Sequence, residues 1–119
     1  MKKTLVLGAS ENPERYSNKA IQRLTAHAHP VVAVGRKAGE VSGVPIITTA
    51  PNEQGVDTVT LYLNPVAQKE YYNYILSLHP KRIIFNPGTE NEELEQLARE
   101  NGIQAVEACT LVMLSTGQY

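Results

Sequence analysis

The residues best suited to chemistry stand where short apolar runs end. Gly8-Ala9-Ser10 follow the run Leu5-Val6-Leu7, and Arg15, Tyr16 and Ser17 come where a helical pattern begins. A strand, a turn of small residues and a helix N-terminus bring free backbone N–H groups and the positive end of a helix dipole to one place, which suits an anion. In doubly wound α/β folds that place holds a nucleotide pyrophosphate. The stretch predicts a phosphate-bearing, nucleotide-like ligand.

A second set follows the run Val31-Val32-Ala33-Val34, where the chain reads Gly35-Arg36-Lys37. NAD-binding domains carry an acid near this point for the ribose 2′-hydroxyl. Two bases stand here instead, and they attract a phosphorylated ribose. Two ligands fit: NADP with its 2′-phosphate and coenzyme A with its 3′-phosphate. The plain alternative is that Arg36 and Lys37 are solvated charges on an exposed loop. The first loop keeps only Gly8 of the dinucleotide fingerprint G-x-G-x-x-G, a weak signal by itself.

These residues need elements to position them. Leu5–Leu7 and Val31–Val34 read as buried parallel strands. Val44-Pro45-Ile46-Ile47 reads as a short edge strand, because Pro45 suits a central strand poorly, and the stretch through Gly39 and Gly43 as a loop. Further strands are expected at Val59–Leu63, Ile83–Phe85 and Gln104–Val106. The first helix is expected from about Arg15 to Ala28, with Ser17, Ala20, Ile21, Leu24 and Ala28 on one face. Asn64-Pro65 reads as an N-cap followed by proline at the first helical position, opening a second helix that His79-Pro80 ends. Thr89 and Glu92 have capping-box spacing for a third helix, and Gly102 suits its C-terminal turn. Leu111 to Leu114 fits a short helix or packed coil. Alternating strands and helices predict a three-layer α/β/α fold of Rossmann type, with a mostly parallel, doubly wound sheet.

In such a fold the loops leaving the strands share one end of the sheet, and ligands bind there. The candidate ligand contacts are therefore Gly8, Ala9, Ser10, Arg15, Tyr16, Ser17, Gly35, Arg36, Lys37, Asn64, Pro65, Asn86, Pro87, Gly88 and Cys109. His27, His29 and His79 precede strands and fall at the other end. His27 and His29 form a His-x-His pair, yet no cysteine or carboxylate lies close in sequence, so a metal site gains little support.

With 119 residues, a net charge of −1 and ordinary hydrophobic content, the chain is expected to form one domain. No block of like charge favours nucleic acid or a membrane surface. One cysteine excludes an internal disulfide and suits a cytoplasmic setting. Met1-Lys2-Lys3 followed by apolar residues imitates a signal peptide, but the apolar run stops at Ala9 and Glu11 follows.

The motifs Gly8-Ala9-Ser10, Pro13, Arg15-Tyr16-Ser17, the Val31–Val34 run with Lys37 and Gly39-Glu40-Val41, Asn86-Pro87-Gly88 and Cys109 together resemble the small CoA-binding domain proteins. These are similar to the N-terminal domain of the succinyl-CoA synthetase alpha subunit. The resemblance runs from about Thr4 to Cys109. It implies that Ser10, Arg15 and Ser17 hold the diphosphate of coenzyme A, with Lys37 near the 3′-phosphate ribose. Family members commonly carry Asn-Pro after the second strand, where this chain has Gly35-Arg36, and this departure leaves NADP open. The ligase's catalytic histidine belongs to a separate domain that this chain lacks, so the resemblance implies binding of CoA or an acyl-CoA and not the ligase reaction.

Catalysis would need a nucleophile or an acid–base pair at the ligand end. Cys109, Glu107, Tyr16 and Glu90 are the candidates there, and no histidine stands near Cys109 to lower its pKa. The residues favour a binding module over an enzyme. A small NADP-dependent oxidoreductase is one alternative. A ligand-free interaction module is another, with Tyr71, Tyr72 and Tyr74 at a contact with a second copy or another protein.

Overall fold

A computed structural model describes residues 1–119. The strands are β1 (Thr4–Leu7), β2 (Val31–Val34), β3 (Gly39–Val41), β4 (Val44–Ile47), β5 (Thr58–Leu61), β6 (Arg82–Phe85) and β7 (Gln104–Glu107). They form one sheet in the order β3-β4-β2-β1-β5-β6-β7, parallel throughout except for the antiparallel β3–β4 pair. The helices are α1 (Tyr16–Ala26), α2 (Pro65–Gln68), α3 (Tyr72–Ser77), α4 (Glu92–Glu100) and α5 (Thr110–Ser115). No helix is long and apolar enough to cross a membrane.

Two-residue alternation along the strands divides the core between the faces of the sheet. Leu5, Leu7, Val59, Leu61, Ile83 and Phe85 pack with Ile75 and Leu78 of the α3 segment and with Leu94 and Ala98 of α4. Val6, Ala33 and Ile46 face the other way, onto Ile21 and Leu24 of α1 and Leu114 of α5. This is the expected three-layer, doubly wound arrangement of Rossmann type.

Several local expectations are corrected. The stretch read as a loop through Gly39 contains β3, closed onto β4 by Ser42 and Gly43, whose φ of 52° and 80° give the primed turn that suits a tight hairpin. That hairpin makes β3 the edge and moves β4 inward. Pro45 is tolerated because the β2–β4 register runs only through Ile46 and Ile47. β5 begins at Thr58 and ends at Leu61, two residues sooner than expected, and Tyr62 and Leu63 turn away from the ladder. α1 ends at Ala26: Ala28 takes a left-handed φ of 62°, and the His29 N–H returns to the Leu24 carbonyl at 3.0 Å.

The expected second helix is divided by a 3-10 turn at Lys69–Tyr71. Its Asn64 cap holds, with Oδ1 accepting from the Ala67 N–H at 2.9 Å. The expected Thr89–Glu92 capping box does not form. Asn91 caps α4 by accepting from Glu93 and Leu94, and Thr89 Oγ1 donates to the Asn86 carbonyl at 2.8 Å. Three acids then occupy the first turn of α4, where its dipole favours them. Tyr71, Tyr72 and Tyr74 are half-buried. The Tyr72 hydroxyl donates to Glu93 Oε1 at 3.0 Å and the Tyr74 hydroxyl to the Pro51 carbonyl at 2.6 Å, so both serve contacts inside the chain.

Candidate ligand-binding cavity

A cavity of about 770 Å³ opens at the carboxyl ends of β1, β2, β5 and β6. Its floor is the loop after β1. Gly8 has a φ of 99°, and a Cβ there would lie 2.9 Å from the carbonyl carbon and oxygen of Tyr62, so both conformation and space require glycine. The N–H groups of Gly8 and Ala9 both donate to the Val34 carbonyl at 2.9 Å. A Cβ on Gly35 would overlap the Ala9 carbonyl oxygen. The first loop therefore lies directly on the end of β2.

Further bonds fix the loop above that contact. Asn18 Nδ2 donates to the Ser10 carbonyl at 3.0 Å, and the Asn12 N–H donates to Ser10 Oγ at 3.1 Å. Glu11 reaches the hairpin, where its Oε2 accepts from the Glu40 N–H at 2.8 Å. Gly39 leaves the room for it, since a Cβ there would overlap the Glu11 side chain. Arg15 stands at the N-cap of α1 with no side-chain cap, so the first N–H groups of that helix lack a side-chain acceptor.

The cavity is lined by three cations, Arg15, Arg36 and Lys37, and by three carboxylates, Glu11, Glu14 and Glu70. The three cations take part in none of the protein's ion pairs, which join Lys3 to Glu53, Lys81 to Asp57 and Arg99 to Glu95. Tyr16 is 68% exposed at the rim, with Lys19 Nζ 5.6 Å from its ring centre. Tyr62 also lines the cavity; burial pushes its pKa up to about 12, against the opposing pull of hydrogen bonds from Thr110 and Thr60. It stays a neutral phenol at physiological pH and is no base.

Of the residues singled out in the sequence, the structure gathers Gly8, Ala9, Ser10, Arg15, Tyr16, Ser17, Gly35, Arg36, Lys37, Asn64, Pro87 and Gly88 around this cavity. Pro65, Asn86 and Cys109 are not among its lining residues. Asn86 is buried and structural: Nδ2 donates to Thr60 Oγ1 at 2.7 Å and to the Leu61 carbonyl at 2.9 Å, while Oδ1 accepts from the Thr110 N–H at 2.9 Å. Cys109 is half-buried just before α5. The histidines lie at the opposite end of the sheet, where His29 Nδ1 accepts from the Lys2 N–H at 3.0 Å.

Sequence reasoning missed Gln68. It is fully buried and outside the lining, and its Nε2 donates at 2.8 Å to the carbonyls of two lining residues, Leu63 and Thr89. It thereby ties the loop after β5 to the loop after β6. The available signal was spacing, since Gln68 precedes Tyr71, Ile75 and Leu78 on the buried stripe of the second helix.

The sequence profile of a family described as CoA binding domain matches residues 2–115. The chain belongs to that CoA-binding domain family. Comparison with curated proteins finds no match. A crystal structure of an uncharacterized protein is similar at 60% identity and a TM-score of 0.97, covering 100% of this chain and 98% of the other. A hypothetical protein from Pyrococcus horikoshii OT3 is 27% identical with a TM-score of 0.87, over 97% of this chain and 82% of its own. A Thermus thermophilus protein at 23% identity shares the fold, with a TM-score of 0.86 over 99% of this chain and 90% of its own. In this CoA-binding domain the cavity sits where ligands of doubly wound sheets bind, outside the carboxyl ends of the strands.

Proposed function

We propose that the cavity binds coenzyme A or an acyl-CoA, and that the chain works as a one-domain, cytoplasmic binding module without catalysis of its own. The diphosphate would rest on Gly8, Ala9 and Ser10 and the uncapped first turn of α1, beside Arg15. The phosphorylated ribose would lie toward Arg36 and Lys37. The observation that carries this reading is the set of three cations, none engaged in an ion pair, around a small-residue loop and the first turn of α1, which has no side-chain cap. Family membership supports the choice of coenzyme A among phosphorylated nucleotides. NADP is the second reading, favoured by Arg36 in the lining.

Coenzyme A and dephospho-CoA differ only in the 3′-phosphate, so calorimetry with both isolates whatever holds that group. The expected gap is about 1.4- to fivefold at low salt, because exposed charge pairs contribute only about 0.2–1 kcal/mol. It should narrow in an Arg36→Ala, Lys37→Ala double variant and with added salt. A gap that the double variant leaves unchanged would remove the basic pair from the site. Tighter binding of NADPH than of either would favour the second reading.

A further inference from the structure

The four loops around the cavity belong to strands adjacent in the order β2-β1-β5-β6. Three strand spacings separate its two ends by about 14 Å. Charge is shared unevenly along that length. Arg36, Lys37 and Arg15 stand at the β2 and β1 end, with Glu11 and Glu14 beside them. At the β5 and β6 end Leu63, Ala67, Tyr71 and Pro87 are apolar or aromatic, and Glu70 is the only charged lining residue. A second carboxylate lies against the same wall, because Glu90 Oε1 accepts from the Gly88 N–H at 2.9 Å. The Gln68 clamp between Leu63 and Thr89 holds this end together two residues before Glu70.

Coenzyme A has the matching asymmetry, with all its phosphates toward one end and an uncharged arm leading to the thiol. Resting on the coenzyme A reading above, its phosphates would lie at the cationic end and its uncharged arm would run toward the end that holds Glu70. We propose that this end selects by charge: it admits a free thiol or an uncharged acyl group and disfavours an acyl group ending in a carboxylate. Glu70 is the specificity-determining residue. A carboxylate brought beside it meets repulsion that no lining cation at that end offsets. Glu70 is exposed, so water and salt keep the effect modest.

Butyryl-CoA and succinyl-CoA test this directly, since their acyl chains have the same number of carbons and differ in a terminal methyl against a carboxylate. At low salt succinyl-CoA should bind about 1.4- to fivefold more weakly, the span of an exposed charge interaction. The ratio should fall in Glu70→Gln and in roughly 1 M salt, where the Debye length is about 3 Å. Glu100→Gln, exposed at the end of α4 and outside the lining, should keep it. Equal binding of the two thioesters by the wild type, or a ratio unchanged in Glu70→Gln, overturns the proposal. Free coenzyme A is titrated in parallel. Failure of that titration would overturn the coenzyme A reading itself, whereas binding of coenzyme A with no acyl discrimination overturns only the role of Glu70.

Discussion

Replacing Gln68 by methionine keeps the length of a fully buried side chain and removes its hydrogen-bonding groups. The carbonyls of Leu63 and Thr89 then lose their 2.8 Å donor. Asn91 Nδ2 loses Gln68 Oε1 but keeps the Tyr72 hydroxyl at 2.8 Å, so that group stays satisfied. A buried polar group left without a partner costs about 1–3 kcal/mol. The bond to Thr89 is buried, while the one to Leu63 is only partly so and water recovers some of its loss. The sum is about 2–4 kcal/mol, out of a total stability of about 5–15 kcal/mol for an ordinary domain. For a chain of this size each kcal/mol moves the melting temperature by about 3–5 °C, so Gln68→Met should melt roughly 6–20 °C lower. Urea titration should give the same loss with an unchanged slope, since the native surface does not change. Affinity for coenzyme A should fall as well, because the two loops that Gln68 joins both line the cavity. A Gln68→Met protein melting within about 2 °C of the wild type would refute the clamp.

Gly35→Ala places a Cβ against the Ala9 carbonyl, and overpacking of this kind costs about 1–3 kcal/mol. Coenzyme A affinity measured by calorimetry should drop about tenfold or more as the first loop shifts; an unchanged affinity would separate that loop from the ligand. Glu95 is buried, and its pKa is raised first by that burial and then by the hydrogen bond and charge of Glu107. The folded state therefore takes up this proton more readily than the unfolded chain, so ionisation of Glu95 opposes folding as the pH rises above the ordinary carboxylate range, with Arg99 offsetting part of the effect. Glu95→Gln should melt higher than wild type at pH 7, with the advantage gone below the ordinary carboxylate range; a lower melting temperature at pH 7 would contradict this. The pKa of His29 is lowered by burial and then by the positive charges of the chain N-terminus, His27, Lys2 and Arg82. The unfolded chain then binds a proton that the fold resists, so this contribution is full above about pH 6.5 and lost as the pH falls below it. In melting curves across that range His29→Asn should show a shallower acid slope than wild type, and an identical slope would assign the dependence elsewhere.

The layers of the fold and the floor of the cavity were legible because their causes are local. Leu5-Val6-Leu7 followed by Gly8 states a buried strand and a tight turn within four residues. Asn64-Pro65 states a helix start within two, and the Asn64 cap is present. The features that stayed hidden depend on partners distant in sequence. Gly39 makes room for Glu11, which then accepts from Glu40, a contact across 29 residues that also brings the β3 hairpin beside the first loop. Gln68 is explained by Leu63, Thr89 and Asn91, and the last two lie 21 and 23 residues away. Asn86 stood at a strand end like the other candidates, but Thr60 and Thr110 draw its side chain into the interior. Thr89 and Asn91 both had capping side chains, and the start of α4 at Glu92 decided between them.

Native mass spectrometry of the protein mixed with equimolar coenzyme A and NADPH tests the central claim most directly. Each ligand shifts the mass of the folded chain by a different amount, so one spectrum reports which is held. The account predicts a one-to-one complex with coenzyme A, weakened in Arg15→Ala by the loss of a charge-assisted bond worth about 1.5–3 kcal/mol. A spectrum in which the chain carries NADPH, or carries neither ligand, would contradict it.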